Sequence, residues 1–492
     1  MARAEAAPSR PAVLYRGAQV NYGELWDRAR RFASAFAGGD EPRVLIALPQ
    51  GADAYAAMFA AGLAGGYYVP VNISAPVDKF IRIVRAAEPD VVVVDPVETP
   101  AGLLDAIGEA APAARRVDVT IARAAPPFEG SGRRSSIAYL IFTSGSTGDP
   151  KGVVIPRAGL EHYVAWAIET LGFAPEDRIS QHPNIGFDLS VLEIYGALCS
   201  GAALCPVAGP GDRLMPGRLI ADLGVTVWIS VPSVVGVIVK ARHAIPAYLK
   251  SLRLLFFCGE SLRPAHLDAI FAACPGARVV NAYGPTEATV SMTYLPLRAD
   301  SDAEARAASV ALGEPIPGMG LRLAGGPSPD EGEIVITGEQ LALGYWRDPE
   351  QTARSFREFE EDGKTLRGYF SGDWAARRGK FLFFKERIDH QVKINGFRVE
   401  LDEVAAAIRA CGWPAACVVK RGDALAAVVE ARPGVEFDPL ELRAALAVRI
   451  EAYALPAEIR VIAAMPRNAN DKLDRDAVAR LFDAEGGADA RS

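Results

Sequence analysis

Short apolar runs set apart by stretches of helical periodicity limit what this chain can fold into. Residues 44–48, 67–71 and 91–94 read as strands, with helical patterns over 52–63 and 78–88 between them. Upstream, residues 21–38 carry Leu25, Ala29, Phe32 and Phe36 at helical spacing. The alternation resumes further on, with helices expected at 157–171, 189–199, 214–223, 233–242 and 262–273. Strands are expected between them at 203–207, 225–230, 253–258 and 278–283. This rhythm predicts an α/β fold of layered, mostly parallel sheets. Residues 333–337 and 381–385 are shorter strand-like pieces in a glycine-rich region, so a small β-rich subdomain is expected near 300–385. From about 390 the texture changes to helix 401–409, strands 415–420 and 424–430, helix 438–450 and strand 459–463. The expected division is a large N-terminal body over 1–388 and a small, mobile α+β domain over 389–492. A small unit beside a large one suggests ligand capture between domains.

Thr143-Ser144-Gly145-Ser146-Thr147-Gly148-Asp149-Pro150-Lys151-Gly152 follows an apolar run at 137–142, and residues 153–155 resume a strand pattern. Three glycines, four hydroxyls and one lysine in ten residues contribute little to a core. Glycine lets successive backbone N–H groups converge on an anion, and the hydroxyls and Lys151 add donors and positive charge. The composition suits a loop that holds polyphosphate. It is not a Walker A loop, because Pro150 stands where that spacing requires the second glycine. A solvated Ser/Gly turn is the alternative.

The totals exclude several classes. A chain of 492 residues is long for one core and suggests two to four packing units. With half its residues hydrophobic and 23% charged it is globular, and a net charge of −7 argues against nucleic-acid binding. Apolar stretches are interrupted by charge or proline too early for a membrane span. Six cysteines form no Cys-x-x-Cys pair and no zinc spacing with histidine, so a reduced, cytoplasmic protein is expected.

Four further stretches bear on the chemistry: 187–190 (Phe-Asp-Leu-Ser), 281–287 (Asn-Ala-Tyr-Gly-Pro-Thr-Glu), 369–374 (Tyr-Phe-Ser-Gly-Asp-Trp) and 389–400 (Asp-His-Gln-Val-Lys-Ile-Asn-Gly-Phe-Arg-Val-Glu). The second combines an aromatic plane, a turn, a hydroxyl and a carboxylate directly after a strand. Together with 137–152, these stretches resemble, in order and spacing, the motifs of the adenylate-forming (ANL) enzymes. More narrowly they resemble amino-acid adenylation domains of nonribosomal peptide synthesis and D-alanine–carrier-protein ligases. Residues 21–25, 62–71, 332–346 and 470–475 also fit, so the resemblance runs from about 20 to 475. It departs in two places: Glu386 stands where many relatives have glycine, and Asp471 interrupts the usual Asn-Gly-Lys.

The resemblance implies ATP and Mg2+. ATP would be held by Thr143, Ser144, Gly145, Ser146, Thr147, Gly148 and Lys151, by Asn281, Ala282, Tyr283, Gly284 and Thr286, and by Asp373, Arg387 and Lys472. Tyr283 would stack on adenine, Thr286 would meet the α-phosphate, Asp373 the ribose, and Arg387 ribose or phosphate. Glu287 would bind magnesium. Lys472, Thr143, Lys151 and Glu287 are the implied catalytic groups, Asp389 the hinge between two half-reactions, and Gly396 part of a tunnel for the incoming thiol. Taken alone, Asp373 after a glycine is a turn former and Arg387 a solvated arginine. His162 and His182 read as structural or surface residues, since a carboxylate attacking the α-phosphate needs no acid–base histidine.

The amino-acid pocket implied by the family is lined by Asp188, Leu189, Leu192, Ser230, Phe256, Cys258, Ala282, Val290 and Ser291. Asp188 would bind the α-ammonium; alone it reads as a helix N-cap. With Asp188 as its one charge and Leu192 and Phe256 as bulk, the pocket favours alanine of either hand, then serine or glycine. Cys258 would select an enantiomer by steric exclusion, or be an ordinary buried thiol. The expected product is an aminoacyl adenylate. It would pass to the phosphopantetheine thiol of a separate carrier protein, since only a short helix and a polar tail follow Arg475. A coenzyme A ligase of the same superfamily is the alternative enzyme, against which Asp188 argues. Lys151, Glu287, Asp373 and Lys472 argue against a carrier-binding module that has lost catalysis.

Overall fold

The computed structural model describes residues 2–130, 134–145, 149–207, 209–306, 309–361, 363–388, 391–394, 396–432, 434–467 and 473–483. Two units emerge. The first comprises residues 1–73, 84–142 and 152–388; the second gathers 74–83, 143–151 and 389–492.

One seven-stranded sheet runs, in spatial order, Gly344–Tyr345, Lys151–Pro156, Ile137–Thr143, Tyr67–Pro70, Arg43–Ala47, Val91–Val94 and Arg115–Asp118. Its members from Ile137–Thr143 to Arg115–Asp118 are parallel. A nine-stranded sheet has a parallel centre of Ala203–Pro206, Arg178–Gln181, Val227–Ser230, Leu254–Phe257 and Arg278–Tyr283. Strands such as Val91–Val94 and Leu254–Phe257 are buried along their whole length, so they read in the sequence as unbroken apolar runs. The register aligns Ser230 with Phe257 and Phe257 with Asn281, so the carboxyl ends of three parallel strands lie in a row. At one edge stands a hairpin, Pro11–Tyr15 with Ala18–Asn21, for which the sequence reading expects no strands. The helix Tyr22–Phe36 follows it, opened by a reciprocal capping box between Asn21 and Glu24.

The β-rich part is larger than two short pieces. Met319–Ser328, Glu331–Gly338, Phe356–Glu361, Lys364–Arg378 and Phe381–Arg387 form a five-stranded antiparallel sheet. Along Lys364–Arg378 buried and half-buried residues alternate, and Gly368, Ser371 and Asp373 are among the buried ones, which hides a strand of 15 residues from a search for apolar runs.

The second unit holds a hairpin, Gln391–Ile394 with Phe397–Glu400, and the helix Leu401–Ala410. A three-stranded sheet of Ala416–Arg421, Ala424–Glu430 and Glu458–Ile462 follows. The helix expected at 438–450 ends earlier, as Pro439–Ala447, with Asp438 capping it. Val399, Val404, Ile408, Val418, Leu442 and Leu446 form a core of this unit's own. All six cysteines are free thiols. Among the described residues no helix is long and apolar enough to cross a membrane.

Candidate active site

In open α/β sheets, ligands bind beyond the carboxyl ends of the strands. Ser230, Cys258 and Asn281 to Tyr283 stand at that edge in the first unit. Asp188 follows the neighbouring parallel strand Arg178–Gln181 and precedes the helix Leu189–Ser200. It occupies the N-cap position but adopts helical backbone angles, φ −61° and ψ −28°, and makes no capping hydrogen bond. Its Oδ2 instead accepts a hydrogen bond from Thr286 Oγ1 at 2.6 Å, and the residue is only 7% exposed. The capping interpretation therefore fails, and a buried carboxylate faces another function. The charge is close to Tyr139 and Tyr163, whose hydroxyls burial already pushes up and Asp188 pushes further.

Leu189, Leu192, Phe256, Cys258, Ala282 and Val290 belong to one buried apolar cluster. Two hydroxyls expected in this pocket are engaged by the protein. Ser230 Oγ accepts from Trp228 Nε1 at 3.0 Å and donates to the Val231 carbonyl at 3.1 Å. Ser291 Oγ pairs with Tyr163 Oη at 2.9 Å.

Tyr283, Asp373 and Arg387 are drawn together from positions 90 and 14 residues apart. Tyr283 Oη donates to Asp373 Oδ2 at 2.6 Å, and Arg387 Nη1 donates to Oδ1 at 2.6 Å. Strand register sets Asp373 opposite Arg387, whose Nη2 also donates to the Ser371 carbonyl at 3.0 Å. Bonds with an ionised partner are roughly twice as strong as neutral ones, so this buried trio is a fixed polar surface. Burial, then the Asp373 charge, keeps the Tyr283 hydroxyl protonated. Nearby in the chain, Asn281 Nδ2 donates to the Ala311 carbonyl at 2.8 Å. Its buried Oδ1 has no donor among the described residues, an unfilled acceptor of the kind folded proteins rarely leave.

Glu287 lies in the 3-10 turn Thr286–Ala288, wholly buried, and its Oε1 accepts from Tyr345 Oη at 2.7 Å. No group of three or more His, Cys, Asp or Glu able to hold a metal occurs among the described residues. A single carboxylate suits Mg2+, which commonly takes one or two protein carboxylates and completes its shell with phosphates and water.

In the second unit, Thr143 ends one strand and Lys151 begins the next. Ser144 Oγ donates to the Arg398 carbonyl at 2.6 Å. A side chain at Gly145 would collide with the Asp149 carbonyl, so the loop turns where only glycine fits. Gly396, with φ 85°, lies between the paired hairpin strands. Ser146, Thr147, Gly148, Asp389 and Lys472 lie outside the described residues.

The AMP-binding enzyme family matches residues 1–346. The chain belongs to that family. Among its relatives is a D-alanine–D-alanyl carrier protein ligase of Staphylococcus aureus, 29% identical over 495 residues and covering 97% of both chains. The crystal structure of the Vibrio cholerae adenylation domain AlmE with glycyl-adenosine-5'-phosphate superposes with a TM-score of 0.82 at 26% identity, covering 98% of this chain and 97% of that one. Holo-PA1221, an NRPS protein containing adenylation and PCP domains, gives 0.81 at 26% identity, covering 98% of this chain and 83% of that one. The expected adenylate-forming family and the α/β architecture with a small C-terminal domain are both borne out.

Two tyrosines of this AMP-binding enzyme escaped the sequence reading. Tyr345 lies within a motif stretch, yet only the fold joins it to Glu287, 58 residues away. Tyr163 sits on the helix Arg157–Leu171, where its spacing reads as core. The histidines stay structural: His182 packs on Trp228 and burial holds it down to about 3, while His162 Nδ1 pairs with Gln340 Nε2.

Proposed function

We propose that this AMP-binding enzyme activates a small α-amino acid with ATP, releasing pyrophosphate, and passes the aminoacyl group to the phosphopantetheine thiol of a separate carrier protein. The observation that carries the reading is Asp188, a buried carboxylate at a helix start that makes no side-chain cap and directly precedes Leu189 of the apolar cluster that also holds Leu192, Phe256 and Cys258. Hydrogen bonds between a carboxylate and an ammonium are about twice as strong as neutral ones, so a substrate ammonium is a fitting partner for Asp188. Alanine of either hand, then serine or glycine, suits a pocket filled by Leu192 and Phe256. Two relatives agree in substrate size: one is named for D-alanine and one was crystallised with a glycyl adenylate.

The nucleotide half rests on the same edge. Adenine would stack on Tyr283, and its exocyclic amine would satisfy Asn281 Oδ1. Ribose hydroxyls would add to Asp373, whose carboxylate oxygens each carry a second lone pair beside the bonds from Tyr283 and Arg387. Thr286 gives its one hydroxyl proton to Asp188 in the free enzyme and would turn it to the α-phosphate when ATP binds, as the substrate ammonium takes its place on Asp188. Glu287 would hold Mg2+, which screens phosphate charge when bound. The substrate carboxylate attacks the α-phosphorus and pyrophosphate departs, with Thr143, Ser144, Thr147 and Lys151 holding it and Lys472 stabilising the charge that develops. We place the enzyme in the cytoplasm, where its six free thiols would stay reduced.

Pyrophosphate exchange measured over a panel of L- and D-amino acids tests this. Alanine, serine and glycine should exchange fastest. Fastest exchange with a large or charged amino acid, or with a fatty or aryl acid in the presence of coenzyme A, would overturn it.

A further inference from the structure

Just after Glu287 the backbone takes a sterically poor path. Thr289 (φ 53°, ψ 75°) and Val290 (φ 74°) are consecutive β-branched residues with positive φ. The Ser291 N–H donates to the Thr289 carbonyl at 3.0 Å, closing a three-residue γ-turn on Val290. This is the rare, strained hand of that turn, and β-branched residues seldom tolerate it. Such strain persists only where surrounding structure over-determines it, and it concentrates at functional sites.

The surroundings here do so on several sides. Thr289 Oγ1 donates to the Gln340 carbonyl at 2.6 Å. Cys258 Sγ, 3.7 Å from the Val290 carbonyl, donates to it. The Met292 N–H donates to the Tyr283 carbonyl at 2.7 Å, and a side chain at Gly284 would collide with Ser291 Cα. From the helix Arg157–Leu171, Tyr163 sends its hydroxyl to Ser291 Oγ at 2.9 Å. Tyr163, Thr289 and Ser291 are fully buried and Val290 is nearly so. Val290 belongs to the same apolar cluster as Leu189, Leu192, Phe256 and Cys258.

We propose that Tyr163 is a positioning residue for substrate selection: through Ser291 it holds the strained Thr289–Val290–Ser291 turn, and the held turn sets the size of the amino-acid pocket. The inference rests on the amino-acid reading of that pocket. Cys258 acts here as a strut on the Val290 carbonyl, and the pocket wall is kept in place by groups that need not touch the substrate.

The test uses the full chain. Tyr163→Phe keeps the ring and removes the bond to Ser291. Pyrophosphate exchange should show a higher KM for alanine and a smaller change in kcat. Discrimination between alanine and 2-aminobutyrate should fall on the order of tenfold, the scale at which one methylene is sensed. Ser291→Ala should reproduce the effect, and the double variant should add little to it. Strain is read separately from a pair that shortens Val290. Val290→Gly should melt above Val290→Ala, because glycine accepts φ 74° without penalty, whereas at ordinary φ the order is reversed. An unchanged ratio in Tyr163→Phe beside an active wild type, or Val290→Ala melting higher, overturns the proposal. A wild type that exchanges with no amino acid sinks the functional reading instead, and the melting order still reports on the turn.

Discussion

A carboxylate at the first turn of a helix is ordinarily a cap, and Asp188 differs because its side chain leaves the helix N–H groups alone. Removing the partner of a buried charge costs about 3 kcal/mol, on the order of 100-fold in kcat/KM. Asp188→Ala should lose that much for alanine in pyrophosphate exchange. Asp188→Asn should lose a similar amount while folding normally, since an amide oxygen still accepts from Thr286. Full activity in Asp188→Asn would remove the ammonium from the scheme. The ribose trio separates in another way. Tyr283→Phe deletes one bond to Asp373 and leaves the Arg387 pair, so the KM for ATP should rise only about fivefold, the worth of one hydrogen bond. Asp373→Ala takes the carboxylate from a guanidinium that is 10% exposed and leaves it the Ser371 carbonyl, and should cost about 3 kcal/mol of stability in a urea titration as well as ATP affinity.

At the scale of elements, a second buried carboxylate explains how the Asp188 helix is seated. Glu193, on the helix Leu189–Ser200, accepts from the His182 N–H at 2.9 Å and from Ser180 Oγ at 3.2 Å. Ser180 Oγ in turn accepts from the Ile229 N–H at 2.9 Å, so two strands and one helix meet at a single carboxyl group. Burial pushes the Glu193 carboxyl up, against the bonds from His182, Ser180 and Gln181 that pull it down. If burial wins and the carboxyl keeps its proton, Glu193→Gln should lose less than about 1 kcal/mol, and Glu193→Ala about 3 kcal/mol from lost bonds and a cavity. A glutamine variant as unstable as the alanine one would mean that the carboxyl is charged. This brace shows where sequence legibility ends. Parallel strands buried on both faces, such as Leu254–Phe257, announce themselves as apolar runs, and the motifs at Asp188, Tyr283 and Asp373 keep fixed local spacing. The antiparallel strand Lys364–Arg378 buries Gly368, Ser371 and Asp373 beside Tyr369 and Ala375, so it forms no apolar run and stays hidden. Pairings such as Glu193 with Ser180, Tyr345 with Glu287 and Tyr163 with Ser291 have no local spacing, because tertiary packing alone creates them.

For the whole molecule, two units mean that one variant can act on one step, or one transition, and spare another. If Lys472 serves adenylation alone, Lys472→Ala should abolish pyrophosphate exchange yet retain thiol transfer from supplied adenylate; equal loss in both half-reactions would exclude that division. Stability divides in the same way. In the second unit, Glu403 is almost fully buried, with Arg82 at 3.9 Å and the Lys79–Glu451 ion pair beside it at 2.5 Å. Burial raises the Glu403 carboxyl from 4.5 to about 7; Lys79 and Arg82 pull it down, and Glu451 and Glu400 add to the rise. The folded unit therefore holds a proton that the unfolded chain releases above about 4.5. Stability is fully present below that pH, falls as pH rises towards 7, and stays lower above it. The loss approaches about 3 kcal/mol. Glutamine mimics the protonated acid, so Glu403→Gln should abolish this part of the slope. Urea midpoints for the second unit's transition at pH 5, 6, 7 and 8 should diverge, with the variant gaining on the wild type as pH rises. Curves that stay parallel across that window would mean Glu403 is already ionised at pH 5, and that the cations beside it outweigh its burial.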